Sequence, residues 1–200
     1  MTTRAEKTLA DVGKWPAPKI EARSHKIIRH AYEQVVTACA RLGSFATGKP
    51  PQTNGPIDER QEALAADDLV SFAIHARRLI DASQCRGMLR SVEIRSFTKS
   101  ARTVRVRDVI NKIIHHEDIQ IVRTVLRAGL LAGRYKLEDI LDVSDQSFSP
   151  LIAIKSERGE MMNFELRELI ETFQKKILVP IIDFCAEHDL YLEDLTFLGG

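Results

Sequence analysis

Eight apolar residues set the first constraint on this chain. Ile27, Ile28, Ala31, Tyr32, Val35, Val36, Cys39 and Leu42 recur at spacings of three and four, the period of a helix that buries one side. A stripe of that length needs a second apolar surface to cover it. Leu69, Phe72, Ala73, Ala76, Leu79 and Ile80 provide one at the same period. Two long amphipathic helices are therefore expected, over about 24–45 and 58–85. Ser24 is placed to cap the first, which ends near Gly43 to Gly48. Asp58, with Gln61 three residues later, fits a capping box at the start of the second, which weakens at Gly87. Between the helices, "ATGKPPQTNGPI" holds three prolines and two glycines and reads as a loop.

Downstream the period changes twice. Val106, Val109, Ile110, Ile113 and Ile114 give a third helical face, over about 104–117. "IQIVRTVL" and "LIAIKS" (151–156) are instead rich in β-branched residues and alternate, as strands do. "SERG" then reads as a turn before a second short strand, "EMMNF". The intervening "RAGLLAGRYKLEDILDVSDQSF" has no decisive period. Leu166, Leu169, Ile170, Phe173, Ile177, Ile181 and Phe184 lie on one side of a last helix, about 165–188. Pro180 lacks the N–H that a helix interior uses, so it should kink or split that helix. The architecture implied is mainly α: a four-helix bundle with a small β insertion, about 119–164, before the last helix. Residues 24–200 form the one domain, and residues 1–23, with Pro16 and Pro18, form a flexible arm.

The 200 residues carry 44% hydrophobic and 28% charged side chains, a composition that supports a packed core and excludes global disorder. No apolar run is long enough to span a bilayer, and the first residues lack the apolar segment of a secretory signal. Cys39, Cys85 and Cys185 are odd in number and far apart, each among apolar neighbours. They read as reduced core thiols of a cytoplasmic protein, not as a disulfide or zinc framework. The net charge of +1 hides a split, because residues 1–107 hold 19 Lys and Arg against 11 Asp and Glu, whereas residues 108–200 hold 10 against 17. Arg86, Arg90, Arg95, Lys99, Arg102, Arg105 and Arg107 stand against one acid, Glu93, in the steepest segment. It has poor periodicity and reads as a loop or a frayed helix extension. Such a segment can meet phosphates, or the acidic half of its own chain or of a second subunit.

The third helix concentrates the chemistry. With Ile110 at the centre of the buried face, Arg107, Asn111 and His115 fall at i, i+4 and i+8 along its flank, a stripe about 12 Å long. Lys112 and His116 point elsewhere, and His116 should be exposed. A guanidinium holds phosphate through two donors, an amide orients a neighbour, and an imidazole exchanges a proton near neutral pH. Together they can bind a phosphodiester and assist attack by a ribose 2′-hydroxyl, the chemistry of a metal-independent endoribonuclease. The candidate catalytic residues are Arg107, Asn111 and His115. Arg95, Lys99, Arg102, Arg105, Lys112 and His116 are the candidate nucleic-acid contacts. The plain alternative is that half-buried Arg, Asn and His hydrogen-bond to adjacent loops and fix helix packing. Among the other histidines, His25 sits in a first turn, His30 on the solvent side of its helix, and His75 on a flank near Arg77 and Arg78. None has metal-ligand spacing. No phosphate loop, GxSxG, CxxC or HExxH occurs, so neither a metal nor a cofactor is expected.

"INKIIHHED", in a short helix after two long ones and before a last one, resembles the motif helix of HEPN-type domains. These are helical bundles associated with RNA and nucleotides in prokaryotic defence, toxin–antitoxin and RNA-processing systems. Their active members carry Arg, a polar residue, three variable residues and His. Asn111 and His115 match the polar residue and the histidine, but the arginine position falls on Ile110. Arg107 stands one turn earlier. The resemblance spans the helical layout of the chain, while its specific motif is a few residues long and incomplete. It implies RNA or a nucleotide as ligand and a homodimer that brings two motif helices together. The departure at Ile110 leaves cleavage in doubt. The alternative from another class is a non-enzymatic interaction or scaffold protein, whose polar stripe only fixes packing.

Overall fold

In the computed structural model the described residues are 22–47, 56–87, 91–97, 101–122, 150–156 and 161–192. The two long stripes produce helices α1 (Ala22–Thr47) and α2 (Pro56–Ala82), which pack against each other. Pro56 opens α2, where its fixed φ and missing N–H cost nothing, so Asp58 lies inside the first turn and not at the cap. Gly43 does not end α1, which continues to Thr47. The end at Thr47 falls inside the expected interval from Gly43 to Gly48. After α2 the Cys85 N–H bonds back to the Ile80 carbonyl at 3.1 Å while Gln84 takes φ 60°. That is a Schellman closure built on a side chain other than glycine.

The basic segment is not a loop. It forms a hairpin of β1 (Glu93–Phe97) and β2 (Ala101–Arg105), with Ile94 opposite Val104 and Arg95 opposite Thr103. Val92, Ile94 and Ser96 point inward, and Glu93 and Arg95 outward. The period of two is real, but it is short, and one of its buried positions is a serine. The hairpin runs straight into α3 (Val106–Ile114), with the Val106 N–H on the Val92 carbonyl at 2.9 Å. The third helix is thus shorter than 104–117 at both ends, because β2 takes Val104 and Arg105 and the next strand takes His116 and Glu117.

That strand is β3 (His116–Val122). With β4 (Leu151–Ser156) and β5 (Met161–Glu165) it makes an antiparallel sheet in the order β3-β4-β5. The register slips between His116 and Asp118. Leu151 to Ile154 of the central strand are all buried. The turn expected at "SERG" after Ser156, the segment 123–149, residues 1–21 of the expected arm and Lys99 lie outside the described residues.

The last helix runs as α4 (Leu166–Phe173), a π-helical segment (Gln174–Leu178) and α5 (Val179–Glu187). The π turn is the structural answer to Pro180. Wide-turn bonding, with the Val179 N–H on the Gln174 carbonyl, carries the chain past the residue that has no N–H to give. Phe173 of α4 meets Phe72 of α2 edge to face at 4.9 Å, so the last helix seals the core that α1 and α2 begin. The described residues are mainly helical, with a two-stranded hairpin and a small three-stranded antiparallel sheet. Cys39, Cys85 and Cys185 are free and buried within it. No helix among the described residues is long and apolar enough to cross a membrane.

Candidate functional site

Helix α3 buries Val106, Val109, Ile110 and Ile113. That orientation leaves Arg107 and Asn111 half-buried on its flank. His115 is the residue at which the helix stops. Its N–H closes on the Asn111 carbonyl at 3.0 Å, its backbone leaves the helical region (φ −109°, ψ 39°), and its ring is exposed. The expected stripe therefore has two helical members and one terminal member.

Asn111 is engaged from within the chain. Arg77 Nη1 on α2 donates to Asn111 Oδ1 at 2.9 Å, and Arg77 Nε donates to Asp81 Oδ2 at 3.0 Å. Asp81 also accepts from Arg86 Nε at 2.8 Å. The side chains run Asn111–Arg77–Asp81–Arg86, tying α3 to α2 and to the turn after it. The guanidinium takes one acceptor position on the amide oxygen and fixes the orientation of the side chain. The group that would orient a substrate hydroxyl is already engaged in helix packing.

The other candidates separate in the same way. His116 is half-buried, not exposed, and its Nδ1 lies 2.7 Å from the Ile113 carbonyl. A carbonyl only accepts, so Nδ1 carries the proton and the ring caps the end of α3. His188 repeats the device on the Phe184 carbonyl at 2.8 Å. Lys112 is half-buried and has a partner of its own. Arg95 is held by Glu168, which accepts from both its backbone N–H (3.1 Å) and its Nε (3.2 Å). Here the basic segment meets the acidic half of its own chain. Arg105 is exposed at the junction of β2 and α3. Arg102 is placed opposite Ser96 by strand register, and its side chain lies outside the described residues.

A second basic locus was not assembled from the sequence. Lys26, Ile27, His30 and Ala31 of α1 and Arg78 of α2 line a cleft of about 390 Å³. The His30 ring meets the His75 ring of α2 edge to face, with centroids 5.7 Å apart. Burial, then the positive charges of Arg78 and His30, push the His75 pKa below its usual value. The residues were visible in the sequence as a solvent-side histidine and a flank histidine beside two arginines. What was missing was the alignment of α1 on α2 that brings them together.

The thiols are chemically quiet. Burial pushes Cys39 up to about 12, and burial with a neighbouring Cys85 pushes Cys185 up to about 12. At neutral pH neither is a thiolate nucleophile. Among the described residues no three His, Cys, Asp or Glu side chains gather as a metal site. Comparison of the chain with protein-family models, with curated proteins and with solved structures finds no match.

Proposed function

We propose that this chain is a HEPN-like helical protein that associates with RNA or a nucleotide through its phosphates and does not cleave it. The single observation that carries the reading is the 2.9 Å bond from Arg77 to Asn111. It commits the polar residue of the motif to the packing of α3 on α2. The position one residue before Asn111 is Ile110, fully buried, so no guanidinium can enter the motif there. Among the described candidates, Arg105, exposed, and Arg107, half-buried, stand at the start of α3, and the exposed His115 stands at its other end. Arg105 and Arg107 give the N-terminal end of α3 a basic edge suited to hold a phosphate backbone. A homodimer that apposes two α3 helices would double that edge. The scaffold reading draws on the same Arg77–Asn111 bond, but it gives Arg105 and Arg107 no task.

The test is binding and cleavage on the same samples. Binding of a labelled single-stranded RNA should fall steeply with salt, because each neutralised phosphate releases counterions. Arg105→Ala with Arg107→Ala should weaken it and flatten the salt slope by roughly one per lost contact. RNA should stay intact over hours in chelator. Binding unchanged in the double variant would favour the scaffold. Cleavage that disappears in His115→Ala would overturn the non-catalytic reading.

A further inference from the structure

We infer that Arg86 is a phosphate contact for a single-stranded RNA backbone, presented at the outer end of the hydrogen-bond network that begins at Asn111. The inference rests on the RNA reading above, and it adds a contact beyond the end of α2 to the basic edge of α3.

The network has two unlike ends. At the inner end Arg77 donates through Nε to Asp81 and through Nη1 to Asn111, and its side chain is 34% exposed. At the outer end Arg86 donates through Nε alone, to Asp81 Oδ1 at 2.8 Å, and its side chain is 71% exposed. Its Nη1 and Nη2 make no hydrogen bond to the described residues. Those two nitrogens form an edge of the guanidinium that grips two phosphate oxygens at once. The charge also favours an anion there. Arg77 and Arg86 converge on one carboxylate, so the network carries a positive charge in excess. The ion pairs of Arg41 with Asp68, Arg95 with Glu168 and Lys175 with Glu171 are each one to one.

Arg86 is held from both sides. Its backbone follows the closure of α2, in which the Cys85 N–H bonds to the Ile80 carbonyl at 3.1 Å and Gln84 takes φ 60°. Its side chain is latched by Asp81. An arginine fixed in this way has less freedom to lose on binding than a loose surface arginine. Its place suits a strand that lies over the start of α3. Arg77 and Asn111 join the two helices at one level, and beyond that level α2 continues to Asp81 and the turn that carries Arg86. The start of α3 is tied through the Val106 N–H to the Val92 carbonyl. Val92 follows Arg86 by six residues, at most about 20 Å of chain. A strand of a few nucleotides seated on Arg105 and Arg107 therefore reaches Arg86.

The test sets Arg86→Ala beside the Arg105→Ala, Arg107→Ala double variant and beside Arg60→Ala, an exposed arginine at the far end of α2. Binding of a labelled single-stranded RNA to the full chain is measured over a salt series. Arg86→Ala should weaken binding about threefold or more and lower the salt slope by roughly one. Arg86→Lys keeps the charge and should restore the slope. Arg60→Ala should match the parent. In proton–nitrogen spectra of the arginine Nε groups, the Arg86 signal should shift with RNA, and the Arg95 signal, held by Glu168, should not. The Arg86 side chain is mostly exposed, so its variants should fold, and a denaturant melt of each checks that they do.

Binding by Arg86→Ala equal to the parent, or an equal loss in Arg60→Ala, would overturn the contact. A slope that Arg86→Lys does not restore would trace the loss to the turn and not to phosphate, and would overturn it too. In each of these cases a loss in the double variant leaves the RNA reading standing. A parent that binds no RNA would end both.

Discussion

The two edges of α2 make an instructive pair. His75, Arg77 and Arg78 are near neighbours in one helical stretch, yet they end in opposite situations. On one edge Arg77 finds Asp81 on its own helix and Asn111 on α3, and a connected set of hydrogen bonds closes over the contact. On the other, the His75 ring meets His30 of α1 edge to face, and Arg78 lines an open cleft with Lys26 and His30, with no hydrogen bond or ion pair shown between them. Local sequence cannot separate these outcomes. The packed partner decides, because α3 brings an acceptor and α1 brings more cations. A polar residue on a helix flank becomes structural where the neighbouring element completes it. It stays available where the neighbour repeats its charge.

The largest expected effect separates the edges by stability. Arg77→Ala removes one hydrogen bond to Asn111 and one to Asp81, both on half-buried groups, and should cost about 1–2 kcal/mol in denaturant unfolding. His75→Ala removes a ring with no hydrogen bond at its buried nitrogen, so the loss should be under about 1 kcal/mol. Equal losses would erase the distinction.

Acid should sharpen it. The His75 pKa is lowered in the folded chain from an ordinary value of 6.5, so the unfolded chain takes up the proton first. His75 therefore contributes stability that is complete above about pH 6.5 and is lost as the pH falls through the folded value. Relative to His75→Gln, the parent should lose stability between about pH 7 and 5 in chloride. An advantage of the parent that grows on acidification would mean that protonated His75 is favoured, against the account.

A smaller effect is expected at Arg95. Its pairing with Glu168 joins β1 to α4 at the surface, so Arg95→Ala should cost about 0.5–1 kcal/mol and leave RNA affinity within about twofold. A loss as large as that of Arg105→Ala with Arg107→Ala would return Arg95 to the binding surface. The smallest effect belongs to His115→Ala. The ring is exposed beyond the end of α3, so stability should change by less than about 0.5 kcal/mol.

The long helices and the apolar faces of α3 and α4 were legible because each stripe has many members. Period alone then names the buried residues, as with Ile28, Val35 and Leu42 or Leu69, Phe72 and Leu79. Pro180 signalled a disturbance, and the structure resolves it by a π turn in place of a break. The β1–β2 hairpin was not legible. Two five-residue strands give little period to count, and a buried Ser96 among arginines hides what remains. His116 was misread because its position followed from extending α3 through a residue that belongs to β3. Of the candidate site, the positions of Arg107 and Asn111 on the flank follow from angles on one helix. That Asn111 is spoken for by Arg77, 34 residues earlier, is a tertiary fact. No single-helix pattern contains it, and it is what shifts the reading from cleavage to binding.

The most direct measurement is a double-mutant cycle on Arg77→Ala and Asn111→Ala, by denaturant unfolding at neutral pH. If the stripe on α3 is closed by α2, each single variant destabilises and the pair adds little, with a coupling of about 0.5 kcal/mol or more. Additive effects, with coupling inside about 0.3 kcal/mol, would mean that Asn111 is free of Arg77, and would contradict the account.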